Sequence, residues 1–233
     1  MELILEGLRG ALERLVTLDP DLVDAASTSL AVTGAATALS IVAGIPLGAL
    51  IALARFPGRT LALSIANTGM GLPPVVVGLF VVVFIWRSGP LGMLDAYCTR
   101  EAMVAAQFLL AFPTVVGLTA IAVQSLDPML RVQVTALGAT PAQAAWILVR
   151  EAKLPILTAA MAGFGAVISE LGASVMTGCN IKGDTRILTT AIALEVTGTG
   201  RFDLGFAYSF VLLALIFAVN AATTWAQQRR RPL

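Results

Sequence analysis

The spacing of charges constrains this chain more tightly than any other feature. A helix crossing a hydrocarbon core of about 30 Å needs roughly 20 mostly apolar residues. Thirty uncharged residues separate Asp24 from Arg55, twenty-seven separate Arg59 from Arg87, and twenty-five lie in each of the intervals Glu101 to Asp127 and Asp203 to Arg229. A fifth interval, Lys153 to Lys182, carries one charge, Glu170. The stretch ILTTAIAL between Arg186 and Glu195 is too short to span and reads as a re-entrant or interfacial helix. The pattern predicts an all-α polytopic membrane protein with five transmembrane helices, its termini on opposite sides.

Composition removes whole classes of alternative. Apolar residues make up 58% and charged residues 12% of the 233, against about 25% charged in soluble domains. A net charge of +1 supplies no basic surplus for phosphate backbones, so nucleic acid is set aside as a partner. The absence of histidine removes the commonest general base and zinc ligand. An intramembrane hydrolase would have to rest on Ser169 beside Glu170, without histidine or a serine–lysine pair in one span. A secondary transporter would be expected to show an inverted repeat, and five spans show none.

Residues 1–25 form a separate amphipathic segment: Ile4, Leu8, Ala11, Leu12 and Leu15 share one helical face, and Glu2, Glu6, Arg9 and Glu13 the other. This predicts a helix lying on the membrane surface. It lacks the basic start and unbroken apolar core of a cleavable signal peptide. At the other end, residues 225–233 form a basic tail with Arg229, Arg230 and Arg231. If this tail, the 55–60 loop and the 124–153 loop lie together, that side carries eight Lys/Arg against two acids, and the other side seven against eleven. Lys and Arg alone nearly balance, so the arginines directly after the last span decide the orientation. The C-terminus is expected in the cytoplasm and the N-terminus outside. Cys98 and Cys179 both fall on the outer side, which permits a disulfide without requiring one.

Two spans break their own rules. Pro73 and Pro74 remove backbone donors in mid-membrane, so the second span must kink or unwind there; this serves either packing or a bend that lines a pathway. Pro113 reads as a simple kink in the third span. Glu170 is expected to point into the bundle, with Ala159, Gly163, Ala166, Ala173 and Ser174 on the same helical face. A structural hydrogen-bonding role suits it better than contact with an anion, which it would repel.

The loop between the third and fourth spans contains LGATPAQAAWILVREAKLP, residues 137–155. Thr140, Pro141 and Gln143 supply a hydroxyl N-cap, a proline at the first helical position and the glutamine of a capping box. They predict a short helix starting at 141 and projecting from the membrane. The LGA triplet, this helix and the closing Leu154-Pro155 resemble the cytoplasmic coupling loop of type-1 ABC transporter permeases. Val132-Gln133-Val134 stands where that loop opens with Glu-Ala-Ala, and the stretch from Gly138 to Leu154 is about one helical turn longer, ~6 Å. RFPGR (55–59), NTGMGLPPVVVGL (67–79), RSGPLG (87–92) and GCNIKGDTRILTTAIALE (178–195) narrow the resemblance to the permeases of tungstate-type importers, relatives of the molybdate and sulfate permeases. It runs over residues 26–224, taken as the permease domain.

The resemblance implies a translocation subunit in a plasma (inner) membrane that works as a homodimer. Its other partners would be a cytoplasmic ABC ATPase dimer, an extracytoplasmic oxyanion-binding protein and the lipid bilayer. ATP and Mg would belong to the ATPase, since the chain has no GxxxxGK[ST] phosphate loop. It places ATPase coupling on Gly138, Ala139, Thr140, Pro141, Ala142 and Gln143, with Gly138 leaving room for close approach. Candidates for the pathway or gate are Asn67, Pro73, Pro74, Glu170, Asn180 and Arg186.

Overall fold

The computed structural model describes residues 2–228; the arginines at 229–231, and most of the expected basic tail, lie outside the described residues. Every regular element among the described residues is helical. Three helices are long and apolar enough to cross a membrane alone: α2 (Pro20–Leu53), α5 (Arg100–Gln124) and α11 (Phe202–Gln228). Two bent pairs raise the number of spans to as many as five. One is α3 (Arg59–Gly69) with α4 (Pro74–Ile85), bent by 102°, and the other is α7 (Pro141–Glu151) with α8 (Lys153–Ile168), bent by 70°.

The central pair is α2 and α5. Asp19 caps α2 by accepting from the Asp21 amide, and Pro20 occupies its first turn. At 34 residues α2 is about 50 Å long, more than the hydrocarbon core requires. Its hydroxyl face, Thr28, Ser29, Thr33, Thr37 and Ser40, is buried. Ser29 and Ser40 bond back to the carbonyls of Ala25 and Ala36 within the helix, which lets these two hydroxyls sit inside a membrane bundle without stranding their protons. Pro113 lies inside α5, which continues through it. α8 packs against α5 and α2.

The fourth apolar interval does not form one helix. α8 stops at Ile168, residues 169–171 are non-helical, and α9 (Gly172–Gly178) starts anew. The small-residue face expected to continue through Glu170 is therefore interrupted: Ala159, Gly163, Ala173 and Ser174 are buried, but Ala166 is exposed. The ILTTAIAL segment forms α10 (Leu188–Ala193), followed by a π-helical turn at Leu194–Gly198. It is buried against α2 and α11, with the Leu188 amide donating to Ser29 Oγ at 2.8 Å. A six-residue helix cannot hold its own amides, so a buried hydroxyl from α2 completes it.

The N-terminal helix α1 (Glu2–Val16) packs on the start of α11. Ala11 is fully buried among Leu22, Ala25, Leu188, Ala207 and Tyr208, and Arg14 pairs with Asp19 at 2.9 Å and Asp203 at 3.1 Å. Leu8, Leu12 and Leu15 flank an apolar groove shared with Phe210, Val211 and Leu215. The amphipathic reading thus acquires a protein partner on part of the apolar face; the side chain of Ile4 lies outside the described residues. Burial works against the Arg14 charge, but the hydrogen bonds and charges of Asp19 and Asp203 outweigh it and raise its pKa above the ordinary guanidinium value.

Candidate functional site

α6 (Pro128–Ala136) and α7 form the expected projecting loop. Asp127 caps α6 through the Met129 amide. The helix closes in a Schellman turn: the Gly138 amide donates to Thr135 O at 3.0 Å and the Ala139 amide to Val134 O at 3.3 Å. Gly138 has φ +84° with nothing within 4 Å of a would-be Cβ, so glycine serves the left-handed turn here rather than close packing. α7 then starts at Pro141, with the capping box formed in both directions: Thr140 N to Gln143 Oε1 at 2.9 Å and Gln143 N to Thr140 Oγ1 at 3.4 Å. Ala144 and Leu148 face inward, while Gly138, Thr140, Pro141, Ala142 and Gln143 are exposed and Ala139 is half-buried. Leu137 is 88% and Trp146 68% exposed beside them. Two large apolar side chains presented this way, next to a slim alanine face, make a surface suited to insertion in a partner's cleft.

A second constellation forms where two spans break side by side. α3 ends at Gly69, residues 70–73 unwind, and α4 restarts at Pro74. The paired prolines therefore set the start of a half-helix. α9 lies against α4 so closely that a Cβ on Gly78 would sit 2.7 Å from Ala173 Cα, and one on Gly172 3.3 Å from the Val75 amide. Glu170, 5% exposed, occupies the neighbouring break and turns its carboxylate onto α9. Oε1 accepts from the Ala173 amide at 2.7 Å, and Oε2 accepts from the Ser174 amide at 3.2 Å and Ser174 Oγ at 3.0 Å. Gln107 on α5 donates to the same serine oxygen at 3.2 Å, and Thr189 Oγ1 donates to the Glu170 carbonyl at 2.9 Å. The carboxylate thus complements the start of a seven-residue helix, while Ser174 and the Glu170 backbone carbonyl extend the network to α5 and α10.

The loop entering α5 and the end of α9 are tied covalently. Cys98 and Cys179, 81 residues apart in sequence, form a disulfide with Cα atoms 5.1 Å apart. The sequence permits this bond but cannot require it; the packing of α9 on α5 brings the two cysteines together.

The remaining pathway candidates do not converge on one point. Asn67 is exposed on α3, facing Gly117 of α5. Asn180 follows α9 and exchanges hydrogen bonds with Thr190: its amide donates to Thr190 O at 3.4 Å, and Thr190 Oγ1 donates to Asn180 Oδ1 at 2.9 Å. Arg186 is mostly buried beside Glu195 at 3.8 Å, and its Nε has no hydrogen-bond partner among the described residues. Arg201 approaches the other Glu195 oxygen at 3.9 Å. Gln107 was not signalled by the sequence, because it reaches Ser174 across 67 residues of chain.

Comparison with known proteins places this geometry. Residues 44–232 match the family described as binding-protein-dependent transport system inner membrane component. A probable anion ABC transporter permease protein of Haloferax volcanii is 42% identical over 86% of this chain and 88% of its own length. The tungstate uptake system permease protein TupB of Peptoclostridium acidaminophilum is 36% identical over 95% of this chain and 96% of its own. Among solved structures, an inward-facing conformation of the MetNI methionine ABC transporter superposes with a TM-score of 0.76 at 20% identity, over 93% of this chain and 99% of that one; at that identity the likeness is one of fold.

Proposed function

This chain belongs to the binding-protein-dependent transport system inner membrane component family, and from that premise we propose that it is the permease of an ATP-driven importer carrying an oxyanion, tungstate first. It is a multi-pass translocation subunit of the inner membrane and not an enzyme. The observation that carries the substrate is the end-to-end similarity to a tungstate uptake permease; no side chain described above is assigned to hold the oxyanion. Selectivity then rests with an extracytoplasmic binding protein that delivers cargo to a permease homodimer.

Energy enters from two cytoplasmic ATPase subunits, which hold the ATP and Mg. The exposed run Gly138, Ala139, Thr140, Pro141, Ala142 and Gln143, with Leu137 and Trp146 beside it, seats in the ATPase and turns closure of the nucleotide sites into movement of the spans. The orientation that serves this puts α7 and the C-terminus in the cytoplasm and α1 outside. Five spans give that arrangement, with the bent α3–α4 pair as the second and α8 as the fourth, which α7 enters through the 70° bend. The arginines directly after the last span support it.

Cells lacking this chain should lose tungstate uptake at low external concentration, and its restoration should return uptake. Unchanged uptake, in cells with no second importer, would remove tungstate as the cargo. Molybdate supplied in the same assay tests the second reading: loss of molybdate uptake alone would transfer the assignment to it.

A further inference from the structure

The inner end of α2 is held in an unusual way. An α-helix leaves its last four carbonyls without intrahelical partners and gathers partial negative charge there. α2 has no basic residue in its own last turn. The Leu50 carbonyl takes the Ala54 amide, and the next three carbonyls are each occupied by a guanidinium from another element. Arg59, the first residue of α3, donates from Nε to Ile51 O at 2.7 Å and from Nη2 to Ala52 O at 3.1 Å. Arg131 of α6 donates from Nη2 to Leu53 O at 3.0 Å, across 78 residues of sequence.

We propose that Arg131 and Arg59 are the positioning residues through which movement of the α6–α7 loop reaches the α3–α4 broken span, both arginines being clamped to one helix end. The inference rests on the coupling role proposed for α7. Arg131 stands on α6, which the Schellman turn at Gly138 joins to α7. A cavity of about 780 Å³, lined by Pro46, Ala49, Leu53, Thr135 and Pro141 as well as Arg131, separates this part of the loop from α2. Across that cleft the arginine adds a polar tie to the limited contact that α7 makes with α2. α3 in turn is the inner half of the span that unwinds before Pro74, and its first residue holds the same helix end. Displacing α6 therefore pulls on α2, and α2 carries α3 with it. Two cations converge here because three charge-assisted hydrogen bonds to a helix C-terminus offset their repulsion.

The test uses the full chain with its ATPase and binding-protein partners in proteoliposomes, measuring ATP hydrolysis and tungstate uptake on the same vesicles. Arg131→Ala should keep the complex and its hydrolysis while uptake per ATP falls by about fivefold or more, the lower range of site-to-site coupling. Arg131→Lys, which retains one donor for Leu53 O, should recover most of that ratio. Arg59→Ala, on a different element, should lower it as Arg131→Ala does. An unchanged ratio in Arg131→Ala overturns the proposal, as does a parallel fall of uptake and hydrolysis that Arg131→Lys leaves uncorrected. If the wild-type chain recruits no ATPase, the proposed function fails first; if it recruits one and only the arginine variants behave normally, the clamp alone is wrong.

Discussion

Replacing Glu170 by glutamine and, separately, by leucine distinguishes a carboxylate that builds the bundle from one that works in transport. Three donors meet this side chain: the Ala173 amide at 2.7 Å, the Ser174 amide at 3.2 Å and Ser174 Oγ at 3.0 Å. Glutamine keeps one acceptor oxygen, and its NH2 can be accepted by Ser174 Oγ, so one buried amide is stranded. A stranded buried donor costs about 1–3 kcal/mol, which sets the glutamine variant near 2 kcal/mol. Leucine strands all three, on the order of 6 kcal/mol if the losses add. For a chain of this length each kcal/mol moves Tm by about 2–4 °C. Glu170→Gln should therefore unfold about 4–8 °C early in detergent, and Glu170→Leu at least about twice as far below wild type. Tryptophan fluorescence on heating reads the transition, and uptake in vesicles reads function: partial for glutamine, lost with assembly for leucine. Equal and complete loss of transport in both, with wild-type Tm, would refute the structural role.

Other perturbations reach the remaining features. Ala142→Trp should leave the protein inserted and dimeric while ATPase binding or coupled uptake is lost, and Arg150→Ala should be milder; normal uptake in the tryptophan variant, measured in vesicles, would dismiss α7 as the docking element. Gly78→Leu should lower Tm by forcing α9 from α4, at about 1–3 kcal/mol for overpacking, whereas Gly34→Leu, with nothing within 4 Å of a Cβ, should be near neutral; equal shifts would contradict the close α4–α9 contact. Alkylation of the denatured protein should modify neither Cys98 nor Cys179 until a reductant is added, and labelling without reductant would disprove the bond. An alkaline phosphatase fused after Leu233 should be inactive outside the cell; activity there reverses the orientation.

Local chemistry alone determines much of this protein. Charge-free intervals are a solvation requirement of the bilayer, so they are written in the chain regardless of packing. The α7 start at Pro141 and the break before Pro74 follow from Thr140, Gln143 and the two prolines acting within four residues of themselves. Tertiary structure decides what depends on contacts between distant segments. Helical periodicity carries Glu170 along a continuous face with Ala166, yet the chain breaks at 169–171 and the carboxylate caps α9, because Gln107, Thr189 and the α4 surface receive the shortened helix there. Cys98 meets Cys179, and Arg131 meets Leu53, only once α9 lies on α5 and α6 folds beneath α2. A side chain's type states which bonds it can make, but its partner is set by which distant backbone groups the fold leaves unsatisfied beside it.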